Sequence, residues 1–238
     1  MPTVFLRARW EQLIMANYAV DPALLAPYTP RGVELDDFQG KTYVSLVGFL
    51  FTITHLFGLP LPFRFKFEEI NLRFYVRRKE GNTYKRGVVF INESVPSALV
   101  AWAANRLYRE HYTALPTQHS MLVSDQEQRI SYQWKLQNQW NQLEVVAAKP
   151  PQEMLPGSFE EFIFEHYYGY TGDKNGLTQE YRVNHPRWRV HQVMQYSIAA
   201  DFGAFYGNSF AFLNKCTPET VFLAEGSPVS SDWKRTRF

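Results

Sequence analysis

Residues 67–76 read Phe67-Glu68-Glu69-Ile70-Asn71-Leu72-Arg73-Phe74-Tyr75-Val76. They lie within a longer stretch, Phe65 to Arg77, in which apolar and polar side chains alternate with a period of two. Successive side chains of a β-strand point to opposite faces, so this alternation predicts a strand with two unlike faces. One face carries Ile70, Leu72, Phe74 and Val76, and the other carries Glu69, Asn71, Arg73 and Tyr75. We expect the first face to be packed, so that Phe74→Ala costs more stability than Tyr75→Ala.

Further short strands are predicted on both sides of this stretch, separated by turn residues. Gly81-Asn82 turns the chain into a return strand, and Phe38-Gln39-Gly40-Lys41 has the composition of a hairpin turn. The predicted strands lie at Val33–Phe38, Thr42–Thr54, Phe65–Arg77, Arg86–Asn92, Gln128–Leu136, Leu143–Lys149, Gly176–Val183, Arg189–Tyr196 and Val221–Ala224, after an extended pair within Phe5–Tyr18.

Three short helices are predicted in the connections between strands. They cover Ala23–Tyr28, a segment opened by Ser94 before Pro96, and Phe159–Tyr168 behind the capping residue Ser158. Many strands with few helices favour an α+β, strand-rich fold. We therefore expect a mostly antiparallel sheet that is closed into a barrel or folded into a sandwich.

The composition is that of an ordinary globular chain with an excess of aromatic rings. The 238 residues are 45% hydrophobic and 16% aromatic, and 20% are charged. Strand-rich domains reach about 200–250 residues undivided, so we expect a single domain over residues 1–238. The aromatic residues are numerous enough to line a cavity as well as to fill a core.

Charge and cysteine content argue against several classes of protein. The net charge is +2 with acidic and basic residues interspersed, which is unlike the concentrated basic face of a nucleic-acid binder. Cys216 is the one cysteine, so a disulfide framework is excluded. The chain start lacks a signal-peptide pattern, and the apolar stretch Val44 to Leu61 is too interrupted to span a membrane. We expect a cytoplasmic protein that binds neither nucleic acid nor membrane.

Four stretches together resemble the uncharacterised YqjF-like family. The alternating stretch above is similar to that family's Glu-x-Asn-x-Arg-x-Tyr-Val strand. The others are Trp10–Leu13 followed by residues 20–34, Gly157–Phe162, and His185-Pro186-x-Trp188 followed by residues 225–229. The resemblance covers nearly the whole chain in order. It implies the fold of acetoacetate decarboxylase, a cone-shaped and mostly antiparallel barrel that encloses a hydrophobic cavity.

The same resemblance argues against the decarboxylase chemistry. Acetoacetate decarboxylases form a Schiff base through one lysine of an adjacent pair, in a motif similar to Arg-x-x-x-Gly-x-Pro-Lys-Lys-Leu. The best match in this chain runs from Arg106 to Leu115, and Thr113 and Ala114 stand at the lysine positions. Neither side chain can form an imine, so lysine-dependent decarboxylation is not expected.

The polar face of the alternating strand supplies the candidate site residues. If this face looks into a cavity, Arg73 can hold a carboxylate in a bidentate fork, with Asn71 and Tyr75 beside it as ligand-binding residues. Glu69 would then be the candidate catalytic acid or base, its pKa raised by burial. Two alternatives stay open. The face meets solvent, or Glu69 and Arg73 pair only to satisfy each other.

Other candidates come from the histidines. His111 and Tyr112 follow the first long helix and are counted as ligand-binding residues, although a partly exposed helix end is the favoured explanation. His185 with Trp188 fits a packing corner, and His166 is expected on the surface of a helix. The six histidines show no metal-ligand spacing, and no phosphate-binding loop is present, so neither a metal nor a cofactor is predicted.

Three functions remain compatible with these residues. The first is a binding protein for a small, mostly apolar carboxylic acid held in a barrel lumen. The second is a lyase or isomerase that acts on a similar acid without an imine. The third is a structural or partner-binding protein with a vestigial pocket. An open lumen with no titratable group favours the first, an open lumen with a buried carboxyl group beside Arg73 favours the second, and a filled lumen favours the third. The oligomeric state, including a homo-oligomer, stays open.

Overall fold

A computed structural model of the chain describes residues 4–56, 58–108, 110–173, 175–232 and 235–238. The described residues are dominated by strands. The strands are β1 (Val4–Val20), β2 (Glu34–Leu35), β3 (Thr42–Leu56), β4 (Leu59–Glu80), β5 (Thr83–Val95), β6 (Tyr112–Ala114), β7 (Thr117–Val123), β8 (Glu127–Leu136), β9 (Gln139–Ala148), β10 (Gln152–Glu153), β11 (Tyr168–Gly172), β12 (Thr178–Asn184), β13 (Arg189–His191), β14 (Val193–Ala199), β15 (Thr220–Asp232) and β16 (Thr236–Arg237).

The helices are few and short, as the sequence predicted. They are α1 (Pro22–Leu25), α2 (Ala98–Tyr108), α3 (Phe159–Phe164) and α4 (Phe202–Tyr206), with 3₁₀ turns at Ala26–Tyr28 and Asn208–Lys215. Among the described residues, no helix has both the length and the apolar composition that are needed to cross a membrane.

The larger sheet curls into a ring. Its pairing runs in the order β15-β1-β3-β4-β5-β11-β12, and β12 pairs in turn with β15. The long neighbours in this ring pair antiparallel, whereas β5 and β11 meet in parallel through Tyr168–Gly87 and Gly169–Val88 only. The join between β12 and β15 is equally short. The ring is therefore continuous along its long strands and completed by brief contacts, which confirms the strand-rich, barrel-like class.

A second sheet covers one outer face of the ring. It contains four strands in the order β14-β9-β8-β7, all antiparallel. Side chains from both sheets form one buried apolar cluster, which includes the Ile70 face of β4 together with Tyr132, Trp134 and Phe202. The packed face of β4 is therefore the Ile70 face, as the alternation predicted. It is covered mainly by the second sheet.

A second apolar cluster lies on the inner side of the ring. It brings α3 against the strands, with Phe162 packed 5.4 Å from the Tyr75 ring and Phe159 4.6 Å from the Tyr43 ring, centroid to centroid. The aromatic helix α3 thus fills one part of the interior. The remaining interior is the cavity described below.

The hairpin turns agree with the sequence, and several element ends differ. Glu80 pairs with Thr83 across Gly81-Asn82, and Phe38 pairs with Lys41.

The expected extended pair at the start is one long strand with a bulge at Gln12, whose φ is 56°. The bulge brings the carbonyl of Trp10 so close to Gly226 that a Cβ there would lie 2.1 Å from it.

Several predicted element boundaries are wrong, and the following four differ most in kind. The strand expected at Val33–Phe38 is only Glu34–Leu35. The second helix is capped by Ser97, because Ser94 is still paired in the sheet. The strand expected at Arg189–Tyr196 is two strands in different sheets. The helix expected to reach Tyr168 ends at Phe164, because the next residues pair with β5.

Candidate functional site

A cavity of about 380 Å³ lies on the inner side of the ring. Most of its wall is aromatic or aliphatic, as in typical ligand pockets with a few placed polar groups. The aromatic wall includes Phe5, Trp10, Phe49, Phe51, Phe67, Phe90, Phe164 and Trp188. The polar and charged part of the wall includes Glu69, Asn71, Arg73, Glu93, Glu110, Tyr112, His166, Tyr181 and His185.

The strand β4 brings three of the predicted residues into this cavity. Glu69, Asn71 and Arg73 alternate with Ile70 and Leu72, so their side chains reach the lumen while the apolar ones pack outward. All three are buried. The alternative in which this face meets solvent is therefore excluded.

The guanidinium of Arg73 is buried with few partners. Its Nη2 donates to the carbonyl oxygen of Ile163 at 3.4 Å and approaches the sulfur of Met15 at 3.5 Å, and its Nε has no hydrogen-bond partner. No carboxylate of the described residues forms an ion pair with it. A buried charge normally has a counter-ion, so Arg73 has the capacity to hold an anion.

Three buried carboxyl groups share the cavity wall. Burial raises the pKa of Glu69 to about 8 and that of Glu110 to about 7, and it raises the pKa of Glu93 well above its usual range. Their mutual repulsion adds to the effect on Glu69 and Glu93, since like charges in a shared site disfavour ionisation. The set therefore holds protons near neutral pH.

Each carboxyl group is held differently. Asn71 Nδ2 donates to Glu69 Oε1 at 3.3 Å, and the hydroxyl of Tyr181 donates to Glu110 Oε1 at 3.0 Å. Glu93 is hydrogen-bonded by the Tyr112 hydroxyl, and its Oε2 has no partner. Burial and the neighbouring Glu69 raise the pKa of Tyr112, so this phenol stays a donor. Among the described side chains, the cavity thus offers proton donors beside the cation of Arg73.

Two of the predicted ligand-binding residues lie outside this wall. Tyr75 is almost fully buried between Phe162 and His166, and its hydroxyl lies 2.6 Å from the Ser45 hydroxyl. It belongs to the core, and this burial favours a large stability cost for Tyr75→Ala as well as for Phe74→Ala. His111 is exposed and does not line the cavity. Tyr112, one residue further, does line it.

The expectation for His166 is also wrong. It follows α3 rather than lying in it, and its side chain is 1% exposed. Its Nε2 lies 3.2 Å from Oδ2 of Asp36, and it lines the cavity.

His185, by contrast, stacks on Trp188 with ring centroids 4.1 Å apart, in agreement with the expected packing corner. His119 lies on β7, where its Nδ1 contacts Glu68.

Glu93 and Glu110 were not predicted from the sequence. Glu93 lies opposite Asn71 in the β4–β5 hairpin. Counting back from the Gly81-Asn82 turn puts Asn92 there instead, because the register shifts by one residue between Leu72 and Arg73. If the one-residue bulge is taken into account, the period-two alternation along β5 places Glu93 on the cavity face. That alternation is the sequence signal that would have identified Glu93.

The two positions at which the decarboxylase motif has its lysines lie on a short strand and are not among the residues that line the cavity. Thr113 and Ala114 lie on β6, exposed, and pair with Ser94 and Val95. None of the described side chains that line the cavity is a lysine. Within the described parts of the chain, no group of three or more His, Cys, Asp or Glu side chains is arranged to hold a metal ion.

A basic groove runs along the surface beside the cavity. Its cations are Arg7, Arg9, Lys66 and Arg182, and Arg9 is paired with Glu11 of the same groove at 2.9 Å. Tyr167, His185, Val229 and Ser230 line both the groove and the cavity. A positive surface next to a binding site raises the local concentration of anions.

Comparison with known proteins places the chain in a sequence family. The model of the DUF2071 family, described as an uncharacterised conserved protein, matches residues 7–228. The uncharacterised protein YqjF of Bacillus subtilis (strain 168) is 27% identical over 186 residues, which are 76% of this chain and 73% of YqjF. The resemblance to the YqjF-like family is therefore confirmed.

Solved structures share the fold at low sequence identity. The enduracididine biosynthesis enzyme MppR, complexed with pyruvate, superposes with a TM-score of 0.63 at 11% identity, covering 100% of this chain and 91% of MppR. An acetoacetate decarboxylase-like enzyme from Sphingomonas wittichii RW1 gives 0.65 at 9% identity, over 98% and 93% of the two chains. The acetoacetate decarboxylase-like fold is therefore confirmed.

Proposed function

The chain belongs to the DUF2071 family, and we propose that its cavity binds a small, largely apolar carboxylic acid. The observation that carries this proposal is the buried guanidinium of Arg73, which has no carboxylate partner among the described side chains. A ligand carboxylate can accept two parallel hydrogen bonds from such a guanidinium. The aromatic wall would enclose the rest of the ligand.

The charge state of the cavity supports the choice of an anion. The raised pKa values of Glu69 and Glu93 keep these two groups largely protonated at pH 7, whereas Glu110, with a pKa of about 7, is about half ionised there. Arg73 is therefore a fully charged cation in a wall whose carboxyl groups are mostly neutral. The basic groove beside the cavity would attract the same class of ligand. The fold neighbour MppR was complexed with pyruvate, which makes pyruvate a suitable first probe.

A thermal-shift series with small carboxylic acids, followed by calorimetry, tests this proposal. A ligand that binds only the folded protein stabilises it by about 2.7 kcal/mol at 100 times its Kd. We expect pyruvate or a close analogue to raise the melting temperature, and the corresponding neutral amide to have little effect. If no acid in the series raises it, or if the amides act equally well, the proposal fails.

A second candidate function is favoured by the buried carboxyl groups. An open cavity with Glu69 on the same strand as Arg73 fits an enzyme of the lyase or isomerase kind that works without an imine. A protonated Glu69 could donate to a developing oxyanion on the bound acid. Incubation of 2-oxo and 3-oxo acids with the protein, followed by NMR, tests it. Turnover that survives in Glu69→Gln argues against a catalytic Glu69.

A further inference from the structure

Asp36 and His166 form a buried pair beside the cavity. His166 Nε2 lies 3.2 Å from Asp36 Oδ2, and the two side chains are 1% and 4% exposed. Arg86 Nε donates to the same Asp36 oxygen at 2.7 Å, and Arg77 Nη1 reaches the other oxygen at 3.4 Å. These cations hold the carboxylate in place, so Asp36 is a fixed acceptor.

The pair fixes which nitrogen of His166 carries the proton. Burial would raise the pKa of Asp36, but the hydrogen bonds from His166 and Arg86 outweigh it and lower that pKa to about 2. An ionised carboxylate only accepts, so Nε2 of His166 must be the donor. Burial lowers the pKa of His166 to about 4, so the ring is neutral at pH 7. Nδ1 is then a lone-pair acceptor.

The free nitrogen belongs to a residue of the cavity wall. His166 lines the cavity, and its Nδ1 is buried with no hydrogen-bond partner. The His166 ring lies 4.8 Å from the Tyr75 ring, and the Arg73 guanidinium carbon lies 5.7 Å from that same ring centre. His166 and Arg73 thus both lie close to the Tyr75 ring, and both line the cavity that a ligand of Arg73 would enter.

We infer that His166, oriented by Asp36, accepts a proton from the carbon next to the carbonyl of a 2-oxo acid bound at Arg73. This inference rests on the proposed function and names its substrate class and step. A plain carboxylic acid has no sufficiently acidic C–H bond, whereas a 2-oxo acid has one at C3. The protonated carboxyl groups supply the donor that the carbonyl oxygen needs, and His166 supplies the acceptor.

The step balances without a further reactant. The C3–H bond breaks, its proton goes to Nδ1 of His166, and its electron pair forms the C2–C3 double bond. The former carbonyl π pair becomes the enolate oxygen charge, which a protonated carboxyl group such as Glu69 stabilises by a hydrogen bond. The reverse step returns a proton to C3, or a deuteron in D₂O. Asp36 acts as a positioning residue, since it contacts His166 and is not among the residues that line the cavity.

Exchange of the pyruvate methyl protons in D₂O, followed by proton NMR on the full chain, tests the inference. Positioned acid–base groups contribute about 10²–10⁴-fold, so His166→Gln should slow exchange on the order of one-hundred-fold. Asp36→Asn should lower the rate at saturating pyruvate, with little change in Kd. The control is His191→Gln, because His191 is buried outside the cavity with Nδ1 on the Ala148 carbonyl.

A second measurement does not depend on how the variants fold. Nitrogen-15 NMR of the wild-type protein should show His166 with its proton on Nε2, and bound pyruvate should raise its titration midpoint because the ligand adds negative charge. A proton on Nδ1 overturns the inference. Pyruvate binding without accelerated exchange, or exchange unchanged in His166→Gln, also overturns it but spares the proposed function. If pyruvate does not bind, the inference is overturned. The proposed function is overturned only if none of the carboxylic acids in the thermal-shift series binds.

Discussion

Arg73 donates to the main-chain oxygen of Ile163 and forms no ion pair with Glu69, although both side chains enter the same cavity from the same face of β4. Four residues of extended strand separate them by about 13 Å between Cα atoms, which is too far for their side chains to pair directly. Glu69 instead accepts from Asn71. The alternative in which the two residues merely satisfy each other is therefore excluded.

Binding of a carboxylate should weaken as the pH rises. Glu110 and Glu69 have pKa values of about 7 and 8, so both lose their protons between pH 6 and 9 and then repel an anion at Arg73. Calorimetry with pyruvate across this range should show affinity falling steadily. In Glu69→Gln the upper part of the fall should be reduced. Affinity that is constant or that rises with pH contradicts the expected protonation states.

The same carboxyl group should make stability depend on pH. In the unfolded chain Glu69 ionises near 4.5, whereas in the folded chain it ionises near 8. The folded state binds the extra proton, so the contribution of Glu69 is fully present below pH 4.5 and is lost as the pH rises towards 8. Urea unfolding should therefore show that Glu69→Gln gains stability relative to wild type between pH 5 and pH 8. A difference that does not change with pH contradicts this.

Both faces of β4 should be sensitive to truncation. Phe74 lies in the cluster between the sheets and Tyr75 in the inner cluster, and each is about 1% exposed or less. Phe74→Ala and Tyr75→Ala should each cost about 3–5 kcal/mol in chemical denaturation. Tyr75→Phe, which removes only the contact with Ser45, should cost about 1 kcal/mol. The half-exposed Tyr196 is the control, and a Tyr75→Ala loss as small as that of Tyr196→Ala would show that Tyr75 is not packed.

No imine should form with a keto acid. Thr113 and Ala114 occupy the expected lysine positions, and the described cavity wall has no lysine. Treatment with acetoacetate and borohydride, followed by mass spectrometry, should leave the mass equal to that of a sample reduced without acetoacetate. A stable adduct on any lysine contradicts the prediction.

The sequence was sufficient for the long, regular parts of the fold. Alternation on β4 identified the packed side chains and the lumen-facing Glu69, Asn71 and Arg73, because a strand has a strict period of two. Two-residue turns such as Gly81-Asn82 placed the hairpins. These are local signals, and each depends on a few neighbouring residues.

The parts that escaped prediction depend on contacts between distant residues. Asp36 and His166 are 130 positions apart, so their pairing leaves no local pattern. His166 is buried because α3 stops at Phe164 and the chain pairs with β5, which helix-capping signals do not reveal. Tyr75 has the alternation of a lumen residue, yet Phe162 and His166 cover it from another segment.

The central claim is that Arg73 holds the carboxylate of the ligand. Calorimetry with pyruvate on wild type, Arg73→Lys, Arg73→Ala and the surface control Arg129→Ala tests it most directly. Arg73→Lys should weaken binding by on the order of ten- to one-hundred-fold although the charge is kept, because lysine cannot form the bidentate fork. Arg73→Ala should weaken binding further, and Arg129→Ala should match wild type. Unchanged affinity in both Arg73 variants would contradict the account.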